Sequence, residues 1–260
     1  MQFTDQLGRT IVIENFPERI ISLVPSQTEL LCDLGLKENL VGITKFCVHP
    51  IGLTKEKTIV GGTKNLRMSV IENLQPDLII ANKEENVKEQ IETLAKKIPV
   101  WISDVNNFED ALQMITAIGE ITNTKRKAKS IIENIEKEKL LFTSEINLKN
   151  KSALYLIWKD PFMSVGNDTF IHDMLQQAGY KNAVGDLNRY PKLTVEEIQT
   201  LQPEIIMLSS EPYPFKEKHL EEIQAIVPNT KIIIVDGEMF SWYGSRLQYC
   251  YKYFFSLHKS

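Results

Sequence analysis

Two hydrophobic rhythms alternate along this 260-residue chain. Short, unbroken apolar runs occur at "RIISLV" (19–24), "DLIIA" (77–81), "PVWIS" (99–103), "ALYLIW" (153–158), "EIIMLS" (204–209) and "KIIIV" (231–235). Such runs suit parallel strands covered on both faces. Between them lie longer segments with apolar residues at helical spacing, such as "NVKEQIETLAKK" (86–97), "NFEDALQMITAIGEIT" (107–122), "TFIHDMLQQAG" (169–179) and "EKHLEEIQAI" (217–226). "LVGIT" (40–44) and "KTIVGG" (57–62) fit shorter strands, and "MQFTD", a turn at Gly8 and "TIVIE" fit an opening hairpin. The "PSQTELLCDLG" helix places Ser26 as N-cap, Glu29 as the capping-box partner and Gly35 as terminator. "SVIENLQ" repeats the arrangement with Ser69 and Glu72.

Strands alternating with helices predict an α/β fold with mainly parallel sheets flanked by helices. One predicted helix is longer than the rest, from Thr124 to about Leu148, with Ala128, Ile131, Ile132, Ile135, Leu140 and Leu141 on its apolar side. About 24 residues would span about 36 Å, close to a domain diameter. The expected organisation is an N-terminal α/β lobe (1–120), a connecting long helix (121–150) and a C-terminal α/β lobe (151–260). An internal repeat supports two related lobes: "IENLQPDLII" (71–80) matches "IQTLQPEIIM" (198–207). Each copy reads as a short helix ending at Gln-Pro, an acidic residue and a buried strand, with a second strand one helix later.

Ligands of open parallel sheets bind beyond the carboxyl ends of the strands, where loops and helix N-termini converge. Here those loops are 25–28, 44–50, 61–65, 82–86, 158–162, 209–215 and 237–246. They hold Phe46, Trp158, Phe162, Tyr213, Phe215, Phe240, Trp242 and Tyr243 beside amides, hydroxyls and charges such as Gln27, Lys45, Asn82 and Lys83. Apolar walls with a few placed polar groups suit a small-molecule cleft between the lobes. Lys64 and Arg67 would attract the carboxylates of an anionic ligand. In "EMFSWYGSR" (238–246) the first residues are expected to close the second lobe's sheet, with Trp242, Tyr243 and Arg246 facing the cleft.

Composition narrows the function. The 30 Lys and Arg against 34 Asp and Glu give a net charge of −4, so a basic footprint for nucleic acid is missing. No apolar run approaches the roughly 18 residues of a membrane span. The N-terminus has neither a basic leader nor an apolar signal core, so either the protein stays in the cytoplasm or its export signal lies outside this chain. Cys32, Cys47 and Cys250 are scattered and imply no disulfide framework. Cys47 and His49 lack the second pair that a structural zinc site needs, and "VGGTKN" lacks the spacer and ending of a phosphate loop. No Ser-His-Asp or nucleophile-elbow pattern accompanies "WKDPF". No catalytic residue, metal ligand or intrinsic cofactor is therefore assigned.

"RIISLVPSQTELLCDLGL", "VGITKF", "LQPDLIIAN", the single long helix and "LQPEIIMLSS" together resemble the substrate-binding proteins of bacterial ABC importers for cobalamin and ferric siderophores. The resemblance covers roughly residues 19–258. It implies a monomeric, extracytoplasmic two-lobe receptor, periplasmic or membrane-anchored. Such a receptor moves little on closing, performs no chemistry and hands a small-molecule metal chelate (corrinoid, siderophore or haem) to a membrane permease. Any metal would arrive within the ligand. In cobalamin receptors the loop after the "PDLVIA"-like strand supplies an aromatic residue, whereas this chain has Asn82 there, followed by Lys83. Phe240, Trp242, Tyr243 and Arg246 stand near the family's remaining ligand positions. One surface glutamate per lobe would dock onto permease arginines, with Glu85 or Glu89 and Glu217 or Glu221 as candidates. Two other classes stay open: a cytoplasmic carrier or sensor, and an enzyme acting on a tetrapyrrole or metal cofactor on the same scaffold.

Overall fold

The computed structural model describes residues 1–146 and 150–259. Contacts divide the chain into two compact units. The first comprises Met1–Val105, Glu109–Glu136 and Tyr243–Gln248, and the second Asn106–Phe108, Lys137–Trp242 and the chain from Tyr249 onward.

The first unit is built on a five-stranded sheet in the order Thr58–Ile59, Leu40–Ile43, Ile20–Ser22, Leu78–Asn82, Val100–Ser103, parallel throughout. Every residue of Ile20–Ser22, Leu78–Asn82 and Val100–Ser103 is buried, as the unbroken apolar runs predict. The opening hairpin pairs Gln2–Thr4 with Thr10–Val12, and Gly8 supplies the left-handed turn residue. In chain order the sheet reads 3-2-1-4-5. Its crossovers reverse direction between Ile20–Ser22 and Leu78–Asn82.

The second unit holds a four-stranded parallel sheet ordered Tyr180–Asn182, Lys151–Leu156, Ile205–Ser209, Lys231–Val235. Its chain order is 2-1-3-4, with the reversal between Lys151–Leu156 and Ile205–Ser209. The edge strand Tyr180–Asn182 has no counterpart among the sequence predictions, because three residues with a lysine in the middle show no apolar run.

The repeat is structural in detail. Gln75 and Gln202 both turn the chain in the left-handed region, at φ 46° and 42°. The acidic residue that follows has the same task in each copy. Asp77 accepts the backbone N–H groups of Glu18 and Arg19 just before Ile20–Ser22. Glu204 accepts that of Ser152 near the start of Lys151–Leu156. Each carboxylate thus ties the neighbouring parallel strand at its amino end, where no ladder partner is available.

The capping predictions need correction. The helix Pro25–Asp33 starts at proline with Val24 as N-cap and no side-chain cap, so Ser26 already lies inside the first turn. Proline suits that position because its missing N–H is one of the donors the first turn would leave unpaired. Met68–Asn73 likewise has Arg67, not Ser69, at its N-cap. A complete capping box occurs instead at Thr194 and Glu197, before Val195–Leu201. Gly35, at φ 84°, ends the first helix as predicted. The long helix covers Lys125–Glu145, 21 residues, and the predicted end near Leu148 lies outside the described residues.

In the second unit Asn182 locks the helix Phe170–Gln177 to the sheet. Its Nδ2 donates to the Val165 carbonyl at 2.8 Å and lies 3.0 Å from His172 Nδ1, while its Oδ1 accepts from Val184 N. His172 Nδ1 therefore accepts, which requires the neutral ring. Burial lowers the His172 pKa, against the opposing charges of Asp173 and Asp168. The unfolded chain takes up this proton more readily than the native one. The His172 contribution is thus intact above the free imidazole value of about 6.5 and is lost as pH falls below it. Urea denaturation is expected to show lower stability at pH 5.5 than at 7.5, with the difference reduced in His172→Gln. An undiminished difference in that variant would place the effect elsewhere.

Candidate functional site

The reversal point of each sheet is where ligands bind in open parallel folds, since the two flanking crossovers part there and leave a crevice. In the first unit that edge is a buried polar lattice. The Ser103 hydroxyl is its hub: it donates to the Ala81 carbonyl and accepts from Gln27 Nε2 and from Asn82 Nδ2. Asn82 Oδ1 accepts the N–H groups of Glu84 and Glu85, and its own N–H donates to Asn86 Oδ1. Asn86 Nδ2 reaches the carbonyls of Thr63 and Leu23. Four strand-end segments are therefore laced together by three amides and one hydroxyl. Gln27 and Asn82 were expected to touch ligand, yet both are buried, Gln27 completely. Ser103 and Asn86 were not foreseen, although a second asparagine four residues after Asn82 is the signal that marks this loop.

Above this lattice sit Lys45, Phe46, Lys64 and Lys83, all exposed. The Lys45 ammonium lies 4.9 Å from the Phe46 ring centroid, Lys83 pairs with Asp104 at 2.6 Å, and Lys64 donates to the Glu84 carbonyl. Glu85 is half-buried, and burial raises its pKa while Lys64 opposes the shift. Tyr243 is buried in the same unit. Its hydroxyl is pushed well up, first by burial and then by the Glu85 charge.

The segment Tyr243–Gln248 is held to the first unit by an ion pair. Arg246 donates through Nε and Nη2 to the two Glu29 carboxylate oxygens at 2.9 and 2.6 Å. Both side chains are largely buried. Burial raises the Glu29 pKa, and the Arg246 hydrogen bond and charge pull it down. Gly244, at φ 113°, lets this segment run close to the Ser26 carbonyl, 3.2 Å from where a Cβ would stand. Arg246 was expected to face a ligand and is instead committed to Glu29.

In the second unit the reversal point carries an aromatic platform. Trp158 follows Lys151–Leu156 and is 40% exposed, which sets it apart from the buried Trp101 and Trp242. Tyr213 follows Ile205–Ser209 and meets Trp158 edge-on at 5.5 Å. Phe215 backs Tyr213 at 4.7 Å, and His219 packs against both rings at 5.5 Å. Lys159 pairs with Glu222, whose hydrogen bond raises the lysine's pKa.

Two further aromatic expectations need correction. Phe240 is fully buried in the core, 4.8 Å from Phe254 and 5.2 Å from Tyr155. Trp242 is also buried, and its indole N–H donates to Glu211 Oε1 at 2.9 Å. The physical reason is that Phe240, in the short helix Glu238–Ser241, packs on Tyr155 of the sheet and on Phe254, while Trp242, the helix's C-cap residue, is held by Glu211. Of the acidic candidates, Glu89, Glu217 and Glu221 are exposed, whereas Glu85 is not fully so. Cys47 is buried between the hydroxyls of Thr28 and Thr44, at 3.0 and 3.2 Å, and burial pushes its thiol pKa up. Among the described residues no group of three His, Cys, Asp or Glu could hold a metal ion, and no helix is long and apolar enough to cross a membrane.

Comparison with known proteins gives a consistent set. The family profile described as periplasmic binding protein matches residues 20–229. The chain is 27% identical over 263 residues to the uncharacterized ABC transporter substrate-binding lipoprotein YvrC of Bacillus subtilis, covering 94% of this chain and 80% of that protein. It is 24% identical over 204 residues to the vitamin B12-binding protein of Vibrio parahaemolyticus, covering 77% and 74%. Among solved structures, a possible iron-binding periplasmic solute-binding protein from Staphylococcus epidermidis superimposes with a TM-score of 0.77. That pair shares 26% identity over 92% of this chain and 97% of the other.

Removing a packed tryptophan leaves a cavity and takes one of the donors from Glu211 Oε1, which keeps the Ser241 hydroxyl. Trp242→Ala is therefore expected to lower stability by about 3–5 kcal/mol in urea denaturation. A loss below about 1 kcal/mol would show the ring to be dispensable for packing.

Proposed function

Since this chain belongs to the periplasmic binding protein family and is the substrate-binding component of an ABC transporter, we propose that its ligand is a metal chelate of the corrinoid, haem or ferric siderophore class. The chelate sits against carboxyl-end loops of the kind each sheet presents. What chiefly supports this reading is the pairing of an exposed Trp158 with Tyr213 at the reversal point of the second sheet. An indole 40% exposed beside a second ring offers a flat apolar face that suits a conjugated ligand. Lys45, Phe46, Lys64 and Lys83 add an exposed cationic and aromatic edge in the first unit. Gln27, Asn82 and Arg246 serve by holding that edge in shape, and Trp242, Tyr243 and Phe240 by packing beneath.

The metal arrives within the ligand, and the protein contributes no cofactor and no turnover. The receptor works as a monomer outside the cytoplasm and has no nucleic-acid partner, in keeping with its net charge of −4. It delivers its cargo to a membrane permease. Glu89 and Glu221 are the docking pair. Both are exposed first-turn residues of the helices Lys88–Ala95 and Lys218–Ile226, which follow equivalent strands in the two units.

Titrating tryptophan fluorescence with cobalamin, haemin and a ferric hydroxamate is expected to give saturable quenching with one of them. Trp158→Ala should weaken that binding about two- to tenfold, the range of an aromatic contact. Absence of quenching by all three would defeat the chelate reading. For docking, the double variant Glu89→Lys and Glu221→Lys is expected to bind the same chelate normally while uptake in cells falls at least tenfold. Unimpaired uptake would remove both glutamates from the docking surface.

A further inference from the structure

We infer that buried His219 is a positioning residue that turns Tyr213 into a one-way hydrogen-bond donor, so that the second unit selects a ligand presenting an acceptor oxygen beside its conjugated face. The inference rests on the proposal that ligand docks at the Trp158 and Tyr213 edge. It goes further by naming the polar chemistry required there.

His219 is 3% exposed. Its Nδ1 lies 2.8 Å from the backbone nitrogen of Lys216, whose N–H can only donate. Nδ1 must then carry a lone pair, and the neutral ring holds its proton on Nε2. Nε2 is 3.3 Å from the Tyr213 hydroxyl oxygen. With an N–H on that side the tyrosine oxygen accepts, and its own hydrogen is turned away from His219. The phenol is also prevented from swinging elsewhere. Its ring is boxed by Trp158, Phe215 and His219, and its backbone N–H reaches the Ile157 carbonyl at the end of the adjacent strand at 3.4 Å.

The outcome is a half-buried tyrosine with one committed proton, next to an exposed indole. A carboxylate or amide carbonyl at the rim of a flat ligand would accept that proton while the ligand's face covers Trp158. An ammonium or other donor-only rim would leave that proton without an acceptor and bind more weakly. Selection against the wrong polarity is strong wherever a buried polar group is left unpaired. No sequence signal marks His219: it is one of four scattered histidines, and only the turn that brings Lys216 N onto its ring assigns its role.

The test has a ligand-free arm and a binding arm, both on the full chain. In protein labelled with ¹⁵N-histidine, the His219 ring is expected at neutral pH as the Nε2–H form with unprotonated Nδ1, identified by loss of its signals in His219→Gln. An Nδ1–H form would overturn the inference whatever the ligand. In the binding arm, Tyr213→Phe and His219→Leu should each weaken whichever of cobalamin, haemin or the ferric hydroxamate binds by about two- to tenfold. The double variant should be no weaker than the worse single. Additive losses, or no loss in Tyr213→Phe, would overturn the inference while leaving the chelate reading in place. Failure of the unaltered protein to bind any of the three, with the expected tautomer present, would count against the chelate reading itself.

Discussion

A parallel sheet leaves its carboxyl edge with polar groups that water reaches poorly and that the ladder no longer serves, and every useful feature of this chain depends on how that edge is satisfied. In the first unit the answer is side-chain amides. Asn82 and Asn86 supply donors and acceptors in fixed directions, Gln27 donates through Nε2 while its buried Oε1 has no hydrogen-bond partner, and Ser103 joins Gln27 to Asn82. Each bond made in such a network counts, because a buried amide group left unpaired costs about as much as several surface contacts contribute. The loops that carry Lys64 and Lys83 are therefore mounted on a rigid base. Conservative changes at Asn82 or Ser103 would act on loop position before they acted on ligand.

The second unit meets the same constraint differently. Its edge is closed by hydroxyl and carboxylate groups, with Tyr155 donating to Ser209 and Ser209 to the Glu211 carbonyl. The Glu211 side chain accepts from Ser241 and Trp242. This arrangement consumes the polar groups below the edge and leaves aromatic rings above it. The two units share a strand-helix plan and the Gln-Pro-acidic junction, yet one presents charge and the other presents rings.

Much of the architecture was legible because burial on both faces writes itself into a strand as an unbroken apolar run. The "IENLQPDLII" and "IQTLQPEIIM" pair was legible for a related reason. A left-handed glutamine before proline and a carboxylate that holds the neighbouring strand are local devices, encoded within ten residues. Capping was misread at Ser26 and Ser69 because a capping-box pattern needs only spacing, whereas the helix begins where proline or a preceding loop places it. The Tyr180–Asn182 strand was invisible because an edge strand of three residues needs no apolar period. Asking which aromatics follow a buried strand returns the partly exposed Trp158 and Tyr213 as candidates, but it also returns Phe240 and Trp242, which are core.

The sequence by itself determined the α/β class, the succession of strands and helices, the internal repeat and the list of loops that end at the carboxyl edges. Those properties depend on neighbours within a turn or a strand. Only the tertiary structure decided which side chains on those loops are spent internally and which remain exposed. Gln27 reaches Ser103 across 76 positions of sequence, and Glu29 reaches Arg246 across 217. Hydrogen bonds between such distant partners leave no period or spacing in the chain, because their geometry is set by how the elements pack and not by where they fall in order.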